Sequence, residues 1–476
     1  MKYLTIDFGS TYTKVTAIDG SQAQIVGTAS SFTTIETDVM EGFHNALAKL
    51  EAKIGEFNYD TLLCCSSAAG GLKMVALGLV PELTAKAAKM AAASAGAKVV
   101  KTYAYEISKF EQEEIARIKP DLVLLCGGTD GGNKEVIIAN AKRLAEIPES
   151  FAIVVAGNKS ASYDLEKVFT EAKKDFVITE NVMPEFNKLN IAPAKQCIKD
   201  LFISRIIDAK GLSCAQKLTP YKIIPTPLAV LNGCELLSKG TIKSKGIGDL
   251  LAVDIGGATT DIYSMSKGHP AIDNVMYKGL PEPYSKRTVE GDLGMRYSLS
   301  SLLEAVHLDF LSMQTGIDST KFEKWVAGCT ANPDKLAKTG SEEQRIEEEL
   351  ARTAVDVAVE RHAGLFAKAF TPMGEIFTLV GKDLTDIPYV IGIGGVIVNS
   401  SSPAYILDGC RYNPTKYEHP KPKNPTYLLD EKYIFASMGL LSAVDPELAL
   451  NLLKKEIHIT KLESNTYENQ KRKIVQ

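Results

Sequence analysis

The chain has 476 residues, 45% of them hydrophobic, and a formal net charge of −4. That length suits roughly three domain-sized units with a large apolar core, while the mild negative charge gives no general attraction to nucleic acid or anionic lipid. The longest apolar runs, at 121–126 and 389–398, fall well short of the roughly 20 residues that cross a bilayer, so no membrane segment is expected.

Taken in chain order, segments 2–7, 13–18 and 23–28 run or alternate apolar, with the turn dipeptide Asp19-Gly20 between the last two. They predict an opening three-stranded meander. A helix is predicted over 38–54, a strand over 61–67, a glycine turn at Gly70-Gly71, and an alanine-rich helix over 82–95 that closes near Gly96. From about 105 to 220 the rhythm changes to βα units: PDLVLLC leads to a helix at 133–146, FAIVVAG to one at 160–173 and DFVIT to one at 192–208. This spacing predicts a small doubly wound parallel sheet inserted within the first lobe.

After 223–237 and a Gly/Lys-rich link at 239–248, the opening pattern restarts. LLAVDIGGATTDIYSM lies over LTIDFGSTYTKVTAID, matching Leu251 to Leu4, Asp254 to Asp7, Gly256 to Gly9 and Thr260 to Thr13, an internal repeat offset by 247 positions. Further helices are predicted at 292–306 and 341–370, a Pro/Lys-rich surface loop at 403–425 and a solvated tail over the last 25 or so residues. The expected divisions are a first lobe at 1–104 and 221–240, an insertion at 105–220, a second lobe at 241–429, a helix at 430–450 and a tail at 451–476.

In each repeat an apolar strand ends in Asp, turns through glycine and returns with hydroxyl residues. Glycine lets backbone N–H groups approach phosphate oxygens, and Ser or Thr adds donors. The strand-end carboxylate can hold hydrated magnesium or orient a water. One such loop reads equally well as a plain hairpin, whereas two in one chain, each opening a meander, point to a nucleotide. A third glycine loop, IGIGGVI at 391–397, suits passage of a base and ribose over bare backbone, or a buried strand-to-helix turn. Ser66–Gly71 and Gly127–Gly132 could cradle an anion or be tight packing.

The order of these parts resembles the ATPase superfamily of actin, heat-shock chaperones and sugar kinases. Pro225, Thr226, Leu228 and Ala229 look like its first interlobe crossing, and Ala436, Gly439 and Ala443 like its second. The stretches IDFGSTYTK, CSSAAGGLKMVALGLVPELT, CGGTDGGN, DIGGATTDIYS, RTVEGDLGMRYS and IGIGGV are similar to those of the glutamate mutase accessory protein family called MutL or GlmL, unrelated to the mismatch-repair protein of that name. The resemblance implies duplicated actin-like, ribonuclease H-like α/β lobes with an inserted doubly wound α/β unit and a nucleotide held between the lobes. It implies ATP/ADP and magnesium as cofactors, and a reactivating role toward an adenosylcobalamin-dependent aminomutase of the glutamate mutase kind. On that basis Asp7, Gly9, Ser10, Thr11 and Lys14 form the first phosphate loop, and Asp254, Gly256, Gly257, Thr259 and Thr260 the second. Asp254 and Asp7 are the catalytic and metal candidates, and Gly392, Gly394 and Gly395 face the adenosine. Gly291 to Arg296 resembles a helix start with Asp292 as its N-cap.

Absences narrow the reading. The eight cysteines include no C-x-x-C, so neither a zinc site nor a disulfide framework is indicated, and Asp7 interrupts any signal-like apolar start. A cytoplasmic location with reduced thiols is expected. There is no G-x-x-x-x-G-K-[ST] loop, and no D-x-H-x-x-G, the pattern by which the mutases ligate cobalamin. The rival readings are a small-molecule kinase and a filament-forming actin-like protein. Whether the chain forms a homo-oligomer is left open.

Overall fold

The computed structural model describes residues 1–34, 38–67, 73–209, 212–306, 308–333, 335–372 and 374–462. It divides into two units: one holds Met1–Gly246, Tyr277–Arg287 and Ile434–Leu452, and the other Ile247–Met276, Thr288–Tyr433 and the chain from Leu453 onward.

The first unit opens with the predicted meander, β1 (Lys2–Phe8), β2 (Tyr12–Asp19) and β3 (Gln24–Phe32), all antiparallel. Leu4, Ile6 and Phe8 share one face of β1, as the two-residue period of a strand requires, and pack on Val39, Phe43, Ala46 and Leu50 of α1 (Val39–Ile54). That helix begins where the Asp38 side chain accepts the Met40 N–H, satisfying one of the donors a helix start leaves orphaned. Parallel to β1 runs β4 (Thr61–Ser66). The Gly70-Gly71 turn lies outside the described residues.

A second, all-parallel sheet follows: β5 (Lys73–Gly78), α2 (Lys86–Ser94), β6 (Lys98–Ala104), α3 (Lys109–Ile118), β7 (Leu122–Leu125), α4 (Glu135–Glu146), β8 (Ala152–Val155), α5 (Ser162–Glu171) and β9 (Asp175–Ile178), with strand order β6-β5-β7-β8-β9. Met74, Ala76, Leu122, Leu124, Ala152 and Val154 pack on the alanines of α2, while the alternate residues Val75, Leu77, Val123, Leu125, Ile153 and Val155 pack on α3, α4 and α5. Both faces are covered, which is why these strands read as continuous apolar runs. The sheet begins at Lys73, so the expected boundary at 104/105 falls inside it; β5 and β6 were hidden because six or seven residues carry too little periodicity to separate strand from helix.

The chain returns through α6 (Ala192–Ala209) and α7 (Leu212–Lys217) to β10 (Ile224–Pro225), parallel to β4, and enters α8 (Thr226–Lys239). The first sheet is thereby completed in the order β10-β4-β1-β2-β3.

In the second unit β11 (Leu250–Ile255) and β12 (Thr260–Met265) repeat the opening hairpin. There follow β13 (Val275–Tyr277), β14 (Ser285–Glu290), and the helices α9 (Leu299–Ala305), α10 (Leu308–Thr315), α11 (Ser319–Ala331) and α12 (Glu342–His362). After β15 (Leu365–Thr371) and β16 (Gly374–Val380) come β17 (Tyr389–Ile393), α13 (Gly395–Val398), α14 (Pro403–Leu407) and β18 (Thr426–Leu429). Then α15 (Phe435–Leu441), which belongs to the first unit, α16 (Pro446–Glu456) and β19 (His458–Ile459) end the described chain. The main sheet has the order β14-β12-β11-β17-β18-β19. Its first five strands match β3-β2-β1-β4-β10 one for one, antiparallel at β11/β12 and parallel at β11/β17 and β17/β18. The architecture is therefore the expected one, a duplicated actin-like, ribonuclease H-like α/β plan with a doubly wound sheet inserted in the first copy.

Four local expectations are corrected. The helix predicted over 341–370 stops at His362, and the following residues form β15, because Ala363-Gly364 ends the helical period. The stretch 403–425 is not simply a surface loop: Ile406, Leu407 and Cys410 are fully buried, and Lys421 is buried with its charge met by Asp356 and the Gly409 carbonyl. The expected tail includes the end of α16 and β19 up to Ile459, and 463–476 lie outside the described residues. Residues Tyr277–Arg287, placed by sequence in the second lobe, pack with the first unit, where Leu280 joins the core of the inserted sheet.

Within the first unit, α8 and α15 cross at small residues. A Cβ on Gly439 would lie 1.8 Å from the Ala229 carbonyl oxygen, and one on Gly233 2.7 Å from that of Phe435. The small face of FASMGLLSA is thus a backbone-to-backbone contact that any side chain would force apart.

Candidate functional site

The two repeat loops close in the same way. The Gly9 N–H bonds the Tyr12 carbonyl at 3.1 Å, and the Gly256 N–H bonds the Thr259 carbonyl at 2.9 Å, the same pair of positions in each copy. Ser10 is exposed and Thr11 half-buried at the first tip; Gly257 and Thr259 are half-buried and Ala258 exposed at the second. Each loop follows a strand whose penultimate residue is a carboxylate, Asp7 or Asp254.

Around Asp7 the groups come from three elements. Lys14, its register partner on β2, places Nζ 3.8 Å from Oδ2. The other oxygen, Oδ1, accepts the Thr226 hydroxyl at 2.5 Å and the Cys65 thiol at 3.5 Å. Burial first, and then the charge of Asp7, push the Cys65 thiol well up, so it stays a protonated donor. Asp7 itself is only 7% exposed, and a carboxylate so buried is retained only with such partners.

Asp254 has different company. Its register partner on β12 is Asp261, a second carboxylate, which accepts the Thr259 hydroxyl at 3.1 Å. Sequence reasoning missed Asp261, although the repeat aligns it with Lys14. Gly394, with φ of +90°, turns β17 into α13 against Asp254: a Cβ there would lie 2.7 Å from Asp254 Oδ1 and 2.4 Å from the Ile255 carbonyl oxygen. Gly395 is exposed, with only the Tyr433 hydroxyl and Asn399 amide as far neighbours, at 3.6 and 3.7 Å from a built Cβ. The segment after Gly291 lies along the second loop, its Met295 N–H bonding the Gly256 carbonyl and its Arg296 and Tyr297 N–H groups the Gly257 carbonyl.

Three expected roles do not match these positions. The Thr260 hydroxyl is fully buried and donates to the Leu293 carbonyl at 2.7 Å, so it holds the segment after Gly291 and does not face the loop tip. Gly392 points its bare face at Ile397, Leu407 and Leu429 and belongs to the core. Asp292 caps no helix: α9 starts at Leu299 after Ser298, and Asp292 pairs with Arg361 at 2.9 Å, which holds its carboxyl below the usual range. In the inserted sheet, the Gly127–Gly132 loop is locked from within. Asn158 accepts the Gly131 N–H and donates to the Gly132 and Asn133 carbonyls, and Asn181 donates to the Gly128 carbonyl. Of Ser66–Gly71, residues 68–71 lie outside the described residues.

Each loop by itself carries donors of the kind that can hold a phosphate. Within each unit, turn residues at the loop tip can meet phosphate oxygens; Lys14 adds a cation beside the first loop, and Asp7 in one unit and Asp254 in the other are each the kind of carboxylate that can hold hydrated magnesium. Among the described residues, no group of three or more His, Cys, Asp or Glu is gathered into a dedicated metal cage. No helix among them is long and apolar enough to cross a membrane.

A profile of the MutL protein family matches residues 3–457. Protein MutL of Clostridium tetanomorphum is 47% identical over 455 residues, covering 95% of this chain and 98% of that protein. Solved structures show weaker likeness. The activator of the 2-hydroxyisocaproyl-CoA dehydratase from Clostridium difficile with bound ADPNP is 11% identical, with 97% of this chain and 100% of that chain covered and a TM-score of 0.32. Gluconate kinase from Lactobacillus acidophilus is 10% identical, with 97% and 93% covered and a TM-score of 0.34.

Proposed function

The chain belongs to the MutL protein family, and from that premise we propose that it is an ATP-hydrolysing reactivator of an adenosylcobalamin-dependent aminomutase such as glutamate mutase. The observation that carries the ATPase part is the duplicated loop: the same turn hydrogen bond, at the same offset from a strand-end aspartate, built on two sheets of the same strand order. The mutase part rests on the family.

In this reading Ser10 and Thr11, with Lys14, bind phosphate oxygens at the first loop, and Gly257 and Thr259 do so at the second. Magnesium, when bound, neutralises charge on the phosphates during transfer to water. Asp7 holds the cation side of the first loop through Oδ2. Asp254, set against Gly394 and opposite Asp261, orients the attacking water. Gly394 and Gly395 leave bare backbone for the adenosine, and Asn399 and Tyr433 border it. Turnover then drives a conformational change that releases damaged cobalamin from the client.

The test is ATP hydrolysis by the purified protein, alone and with a cobalamin-inactivated aminomutase, with cobalamin release and regained mutase activity followed together. ATP-dependent release with restored activity supports the proposal. Hydrolysis without effect on the mutase removes the reactivating role, and a phosphorylated small-molecule product moves the reading to a kinase.

A further inference from the structure

We infer that Thr226 is a positioning residue that fixes which oxygen of Asp7 is offered to the cation. The inference rests on the nucleotide reading above. Asp7 stands at the end of β1, at the register position of Cys65 on β4 and of Lys14 on β2. Its Oδ1 takes the Thr226 hydroxyl at 2.5 Å and the Cys65 thiol at 3.5 Å, while the Thr226 hydroxyl is 3.6 Å from the Cys65 sulfur. These three groups form one cluster, with Cys65 fully buried, Asp7 nearly so and Thr226 half-buried. Two neutral donors on one oxygen leave the other, Oδ2, as the acceptor turned toward Lys14. A carboxylate free to rotate would spread its charge over two orientations, and the hydroxyl removes that freedom before any ligand arrives.

Thr226 is also the first residue of α8, the helix whose backbone meets α15 at Gly233 and Gly439. The hydroxyl therefore ties the carboxylate of the first loop to the start of this helix pair, so that Oδ2 keeps its direction only while α8 keeps its place against β1 and β4. At the register position that Cys65 holds in the first copy, the second copy places Ile393 on β17, whose side chain carries no donor.

The test uses the full chain and compares wild type, Thr226→Val, Thr226→Ser and Cys65→Ala. ADP binding is measured by calorimetry with magnesium and with EDTA, alongside ATPase rates. A purely structural role would shift melting and both binding conditions together. The expected result is that Thr226→Val lowers the magnesium-dependent gain in ADP affinity roughly tenfold, the effect of one lost charge-assisted hydrogen bond, with ADP binding in EDTA unchanged. Thr226→Ser restores the wild-type gain, and Cys65→Ala gives a smaller loss of the same kind. An unaltered magnesium gain in Thr226→Val overturns the inference, as does equal loss in EDTA. If Thr226→Val does not fold, Thr226→Ala is read by the same two outcomes. A wild-type protein that binds no ADP instead removes the nucleotide reading on which the inference stands.

Discussion

The two Asp-Gly loops share a backbone and differ in electrostatics. Opposite Asp7 the chain places Lys14; opposite Asp254, at the same register, it places Asp261. Asp7 is buried under a hydroxyl and a thiol, whereas Asp254 is half-buried against a bare glycine. The hairpin bond between the first loop glycine and the residue three further on survives in both, so the duplication conserved the geometry that backbone hydrogen bonding requires. The side chains were free to divide the work. On the proposed reading, one loop attracts phosphate and the other concentrates negative charge where a cation and a polarised water are wanted.

That division can be tested from its largest consequence downward. Replacing Asp254 by Ala is expected to lower ATP turnover by roughly 10²–10³, the scale for losing a group that organises the transition state, with circular dichroism and melting near wild type; a variant that turns over normally would mean the second loop does not carry the chemistry. The glycines come next. Gly9→Ala meets the Tyr12 carbonyl oxygen at 2.4 Å, while Gly256→Ala meets that of Thr259 at 3.2 Å. Urea unfolding should therefore show Gly9→Ala costing about 1–3 kcal/mol, as overpacking does, and Gly256→Ala clearly less. Equal losses would show that the second loop is as tight as the first.

Lys14→Ala should weaken ADP binding by roughly tenfold, about 1.4 kcal/mol, and that loss should shrink at high salt because Lys14 is partly exposed. Calorimetry at two ionic strengths checks it. The smallest effect concerns the thiols that only the first sheet places on the strand beside its Asp loop. Burial pushes the Cys64 thiol up to about 12 from its ordinary 9.0. The unfolded thiol then ionises at a pH where the folded one keeps its proton. The stabilisation is whole below about pH 9 and is lost as pH rises from there toward 12. Urea midpoints at pH 8 and pH 10 should fall less in Cys64→Val than in wild type.

Much of this was legible in the residues. The repeat of LTIDFG in LLAVDIGG announced two sheets of one plan, because an alternating apolar strand followed by Asp and glycine can form the same hairpin wherever it occurs. The βα rhythm announced β7, β8 and β9 of the inserted sheet, though not β5 or β6, whose six and seven residues carry no distinctive period. Thr226 was noticed only as part of a helix crossing, and Asp261 not at all. Their chemistry depends on partners 219 positions away, in the case of Thr226 and Asp7, and on cross-strand register, in the case of Asp261 and Asp254. The misjudged residues failed for the same cause. Thr260 has the right chemistry for a phosphate loop and Gly392 for passage of an adenosine, but the first is turned to a backbone carbonyl and the second to apolar side chains.

By itself, then, the sequence determined the α/β class, the duplication, the two loops and the inserted parallel sheet, since these follow from short-range periodicity and turn chemistry. Only the tertiary structure decided which hydroxyls are already committed, which oxygen of Asp7 remains to be offered, and that one aspartate faces a cation while its counterpart faces another acid. Such choices are set by contacts between segments far apart in the chain, where a side chain can take only the partner that packing brings within hydrogen-bonding distance.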